Sequence, residues 1–77
     1  MAFLAKVFLA VSVLAAYLLW GKGAVSWIAR LNALINLWVF GVSHNFIGDP
    51  DNLPGAVVTI HMLSSLVGLG LLIYAVA

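Results

Sequence analysis

Three long apolar stretches fill most of the chain, and polar residues interrupt them in two places. The first stretch runs from Ala2 to Trp20, AFLAKVFLAVSVLAAYLLW, and Gly21-Lys22-Gly23 ends it. The second, AVSWIARLNALINLWVFGVS, covers Ala24 to Ser43. A polar segment follows over residues 44–55, HNFIGDPDNLPG, holding both acids (Asp49 and Asp51), both prolines and two glycines. The third stretch begins at Ala56 and reaches the end of the chain, with a helix expected over 56–76. A helix rises about 1.5 Å per residue, so each stretch is about long enough to cross a bilayer's hydrocarbon core.

In hydrocarbon, a backbone must satisfy its own hydrogen bonds, and three segments are too few for a closed barrel. The pattern therefore predicts an all-α fold: one integral membrane domain over residues 1–77, with helices over 2–20, 24–43 and 56–76 and a polar loop over 44–55. Gly21-Lys22-Gly23 suits a tight helical hairpin. Residues 1–43 as a single helix would be roughly 65 Å long, about twice a bilayer core, so the chain turns at this point or the second helix leaves the membrane normal. Three transmembrane helices are the primary expectation; two spans plus one helix lying in the interface is the alternative. Pro54 suits the first turn of the last helix and Asn52 a cap near it.

Stepping the second stretch by about 100° per residue sorts its side chains. Trp27, Ile28, Leu31, Leu34, Ile35, Trp38, Val39 and Val42 fall on a broad apolar face. Ala29, Asn32, Ala33, Asn36 and Ser43 fall opposite, with Arg30 at the edge. In the third stretch His61, Ser64, Ser65, Gly68, Leu72 and Ala75 share one face. Small and amide residues in such stripes let helix backbones approach closely in an apolar solvent. Ala29, Asn32, Ala33, Asn36, Ser64, Ser65 and Gly68 are thus the candidate helix-packing residues.

Composition strengthens the membrane reading. The 77 residues are 66% hydrophobic and 6% charged, with a mean hydropathy of +1.26, whereas soluble domains are nearer half apolar and a quarter charged. A water-soluble globule of this size would leave large apolar patches facing solvent. The first stretch shares features with a secretory signal (Lys6, an apolar run, then small Ala15 and Ala16), but it is read here as a structural helix. A net charge of +1 offers no basic patch for direct nucleic-acid binding. The chain has no cysteine, which removes disulfides, thiolate metal sites and thiol nucleophiles. Lys22 and Arg30 on one side outnumber Lys6 on the other, so the Gly21–Gly23 side is expected to be cytoplasmic. Lys22, Arg30, Trp20, Trp27 and Trp38 are candidate lipid anchors, because cations and indoles favour the interface.

Candidate chemistry centres on His61. Its plainest role is a hydrogen bond to a neighbouring helix, through Asn32, Asn36 or a backbone carbonyl. A sharper role is axial ligation of a haem or chlorophyll-type pigment, for which a neutral imidazole beside small residues is suited. His44, at the loop edge, is a weaker second ligand candidate and a natural partner for a helix C-terminus. Arg30 lies about two turns inside the second stretch, where snorkelling to a lipid phosphate or pairing with the Ala77 carboxylate would stabilise it. GDPDN lacks the oxygen spacing of a calcium hand and reads as a turn. No metal centre, catalytic residue or enzymatic activity is expected.

These features point to a small non-catalytic subunit that stabilises a larger membrane assembly, most naturally a photosynthetic or respiratory electron-transfer complex. Its partners would be other integral membrane subunits and bound lipids. A subunit ligating pigment or haem through His61 is the second expectation. In size and hydropathy alone, two or more apolar helices joined by a short polar turn, the chain also resembles conjugative pilins. That resemblance implies a lipid-containing conjugative or DNA-transfer filament.

Overall fold

A computed structural model describes residues 2–45 and 55–77. The described residues form α1 (Ala2–Leu18), α2 (Ala24–Asn45) and α3 (Gly55–Val76), and they contain no strand. The first helix ends before Trp20, the second runs past Ser43, and the third starts one residue before Ala56. Pro54, Asn52, Asp49, Asp51 and most of the polar loop lie outside the described residues.

The Gly21-Lys22-Gly23 segment is a turn rather than a kink. Gly21 and Gly23 both sit at φ 77°, a left-handed conformation that costs glycine little and other L-residues more. At the end of α1, Leu19 N–H donates to Ala15 O at 2.9 Å and Trp20 N–H to Tyr17 O at 3.2 Å, and Lys22 N–H reaches Leu19 O at 3.1 Å just beyond it. Ser26 completes the turn: its Oγ accepts from Gly21 N–H at 3.3 Å, and its own N–H reaches Gly23 O at 3.1 Å. Carbonyls and amides that helix ends leave open are thereby paired within the turn.

All three helices pack on one another. Ser12 meets Asn36 and Trp20 meets Arg30, so α2 runs back along α1. Phe8 meets His61 while Gly68 faces Ser12, so α3 runs in the direction of α1. The bundle measures 40 × 17 × 17 Å. Even the shortest helix, 17 residues or roughly 25 Å, would not fit across 17 Å, so every helix follows the long axis.

Two helices are long and apolar enough to cross a membrane: Ala24–Ser43 within α2, and Gly55–Val76. The segment Phe3–Leu18 is apolar but shorter. Only 28% of each long apolar stretch is buried inside the chain. A core helix of a water-soluble protein would be mostly covered.

Candidate functional site

The interior of the described residues holds as many buried polar side chains as apolar ones, and the apolar ones are mostly alanine. Ser12, Ser26, Asn32, Asn36, His61, Ser64 and Ser65 are all buried. The largest fully enclosed side chains are Val39, Asn36, Ser12 and Ser26, and three of those four are polar. Ser12 of α1, Asn32 and Asn36 of α2, and Ser64 of α3 form one connected seam through the centre of the bundle.

Asn36 is the hub. Its Nδ2 donates to Ser12 Oγ at 2.8 Å and to the Asn32 carbonyl at 3.0 Å. The Ser64 carbonyl and Asn32 Oδ1 lie farther from the same nitrogen, at 3.4 and 3.5 Å. Asn36 Oδ1 accepts from Ser64 Oγ at 3.3 Å, a hydroxyl that also reaches the His61 carbonyl at 3.2 Å. Ser12 Oγ passes its own proton back to Phe8 O at 2.8 Å. Asn32 Nδ2 donates to the Ser64 carbonyl at 2.9 Å. One amide thus links three helices, and each participating hydroxyl has a donor role already met.

Gly68 makes this possible. A Cβ built on it would lie 2.9 Å from both Asn32 Oδ1 and Ser12 Oγ. Gly68 is one helical turn beyond Ser64, so its bare backbone leaves the space through which Asn32 reaches the Ser64 carbonyl. Gly70, two residues later, has nothing within 4 Å of the equivalent position. The small-residue stripe therefore has one glycine that sets the contact and one that faces outward.

Towards the turn the seam gives way to an apolar contact. Ala16, Leu19 and Ala29 form a buried cluster, with Val25, Ala33, Leu71 and Ala75 against it. Ala29 is wholly buried and Ala33 half-buried. The packing residues read from sequence, Ala29, Asn32, Ala33, Asn36, Ser64, Ser65 and Gly68, thus lie between helices of this same chain. The surface left over for a neighbour is apolar.

Ser12 and Ser26 were not singled out in the sequence, although a signal for Ser12 exists. Ala5, Ser12 and Leu19 are spaced by seven, and Ala15 and Ala16 lie between, the repeat that keeps one seam facing a partner helix. Val39 also needs reassignment. It was placed on the outer apolar face, yet it is fully buried. Seven residues from Asn32, it comes to within about 20° of the same direction and so belongs to the inner face.

His61 lies beyond the seam. The residue is 6% exposed, with its ring edge-on to Phe8 at 6.0 Å between centroids and 79° between planes. Asn32 and Asn36, the partners expected for it, are engaged with Ser64 and Ser12. Its Nε2 is covered and has no hydrogen-bond partner, and Ser65 Oγ, one turn along the same face, is in the same condition. An axial ligand must present a ring nitrogen to a macrocycle much wider than itself. The covered Nε2 and the packed Phe8 do not fit that requirement. His44 falls in the last turn of α2. Among the described residues, no three His, Cys, Asp or Glu side chains come together as a metal site would need.

Arg30 occupies the other end. Its guanidinium carbon lies 3.5 Å from the centroid of the Trp20 ring and 4.6 Å from that of Trp27. Flanking indole faces stabilise a cation by about 0.5–2 kcal/mol, the more so when it is desolvated. These two rings, rather than the Ala77 carboxylate, are what hold it. Lys22, Trp20, Trp27 and Trp38 are all exposed.

Comparison with protein-family models, with curated proteins and with solved structures finds no match to this chain. Its functional reading accordingly rests on its own residues.

Proposed function

We propose that this chain is a small integral membrane protein that folds as a three-helix bundle and serves, without catalysis, as a packing subunit of a larger membrane assembly. One observation carries the reading: the side chains are distributed inside out. Asparagine and serine share the centre with small apolar residues, while Phe3, Tyr17, Trp27, Leu31, Leu66 and Tyr74 are each at least 60% exposed. Water would penalise that surface, whereas hydrocarbon and apolar partner helices accept it. All three helices follow one axis, so a three-span arrangement suits this bundle better than two spans with an interfacial helix. Lys22 and Arg30 at the turn end, against Lys6 at the other, favour a cytoplasmic turn.

The internal seam bears on the kind of function. Its polar groups bond to one another, no carboxylate side chain among the described residues joins them, and they act by fixing helix register. The proposal is a membrane assembly in general: no described residue carries the narrower assignment to a photosynthetic or respiratory electron-transfer complex.

Membrane fractionation followed by gentle detergent extraction and native electrophoresis tests this. The expected result is a chain that resists carbonate extraction and migrates with other integral membrane proteins, far above its own 8.2 kDa. Recovery as a soluble monomer would refute the membrane reading. Recovery from the membrane as a lone chain would refute only the subunit role. A visible absorption band lost in His61→Ala would transfer the assignment to a pigment- or haem-binding subunit, and fibres in electron micrographs would transfer it to a filament protein.

A further inference from the structure

We infer that the groove between α1 and α2 is a binding site for one anionic phospholipid, with its phosphate at Arg30 and an acyl chain along the groove. The inference rests on the membrane reading above and adds a ligand to it. The groove has a volume of about 570 Å³. Leu9 and Val13 of α1 and Leu34 and Leu37 of α2 line its apolar length, and Trp20 and Arg30 close the end beside the turn. Leu9 to Trp20 spans roughly 16 Å at helical rise, long enough for much of an extended acyl chain.

Charge selects the occupant. Among the described residues, Arg30 is the one charged side chain lining this groove. The described residues contain no Asp or Glu, since Asp49 and Asp51 fall outside them. The guanidinium lies against two indole rings, which hold the cation without neutralising its charge. A guanidinium held at the mouth of an apolar channel matches a phosphate attached to a hydrocarbon chain, because guanidinium pairs with phosphate oxygens. An uncharged apolar occupant would leave the cation unanswered. A free phosphate would leave the channel unfilled.

The test uses the full chain in mild detergent, with phosphatidylglycerol and phosphatidylcholine of identical acyl chains, and counts retained lipids by native mass spectrometry. The wild type should retain one phosphatidylglycerol and prefer it by about tenfold, the effect of one charge-assisted contact. Arg30→Gln should abolish the preference. Val13→Phe, which fills the channel, should reduce retention of both lipids. Lys6→Gln, exposed at the opposite end of the bundle, should leave the preference in place. Excess inorganic phosphate should not compete, which separates a lipid site from a bare anion site. Circular dichroism of each variant establishes that the bundle is intact. Equal retention of both lipids by the wild type, an unchanged preference in Arg30→Gln, or displacement by inorganic phosphate overturns the site. If the chain resists carbonate extraction while showing no preference, the lipid site fails and the membrane reading stands; a chain that is soluble without detergent refutes both.

Discussion

The two ends of the bundle hold the helices together by different means. Near the turn, Ala16, Leu19 and Ala29 meet Leu71 and Ala75 as hydrocarbon on hydrocarbon. About one turn farther along α1, Ser12, Asn32, Asn36 and Ser64 meet as a hydrogen-bonded network around Gly68. Both contacts use small residues to bring backbones close. They differ in what they specify. Alkane contacts tolerate small slides and rotations, and in lipid they gain little from the solvent, since lipid tails are as apolar as leucine. A network centred on one amide is satisfied only when three helices stand at one height and one rotation. The apolar end supplies proximity and the polar end supplies register.

The sharpest way to break this comparison is to fill the space at Gly68. A Cβ there already lies 2.9 Å from two oxygens on two other helices, and neither belongs to a long flexible side chain that can swing aside. Gly68→Leu should destabilise the bundle by about 3 kcal/mol or prevent its assembly. Gly70→Leu meets open space and should change stability by less than about 0.5 kcal/mol. Unfolding of the full chain in mixed detergent micelles, followed by tryptophan fluorescence, compares the two. Equal losses would mean that the seam is not where α1, α2 and α3 converge.

A smaller effect isolates the network itself. Asn36→Leu keeps the bulk of the side chain and removes the amide. Ser12 Oγ still donates to Phe8 O, and Ser64 Oγ still reaches the His61 carbonyl, so neither hydroxyl loses its donor role. The expected cost is about 2 kcal/mol, from the lost interhelical bonds. Combining it with Ser12→Ala should cost about 1 kcal/mol less than the two single losses added together. Additive losses would show that Asn36 acts through volume alone and would remove the distinction between the two ends.

How much of this was legible in the sequence depends on how local each feature is. The three helices follow from apolar run length, and the α3 stripe of His61, Ser64, Ser65 and Gly68 follows from helical period alone; all four are buried. Which stripe meets which is a different matter. A helical wheel gives the direction of a side chain but not the identity of what faces it, so the stripes could be assigned to neighbouring subunits as readily as to the chain's own helices. Val39 departs from its expected face because its chemistry matches the exposed apolar residues while its angle matches Asn32. Ser12 was overlooked because a lone serine in an apolar helix can bond its own preceding turn, as Ser12 does to Phe8. That it also accepts from Asn36, 24 positions later, depends on the tertiary arrangement. Arg30 between Trp20 and Trp27 was half legible: Trp27 is one turn away on the same helix, whereas Trp20 arrives only because the Gly21–Gly23 turn folds α2 back.

The smallest predicted effect bears on the solvent assumed for the apolar end. Leu19 is 2% exposed and belongs to the cluster with Ala16 and Ala29. In a water-soluble core, Leu→Ala costs about 2–5 kcal/mol, partly because the leucine is transferred out of water on folding and partly because a cavity remains. If hydrocarbon surrounds the bundle, the transfer contribution nearly vanishes, because the separated helix would bury Leu19 in lipid just as well. What remains is lost packing, and Leu19→Ala should cost about 1 kcal/mol. Leu69→Ile, on the exposed face of α3, sets the baseline and should fall below about 0.5 kcal/mol. A Leu19→Ala loss of about 3 kcal/mol or more in the same micelle titration would place the apolar end in the energetic class of a water-excluded core. The polar seam would then no longer be the stronger determinant of how the three helices stand, and the contrast between the two ends would reverse.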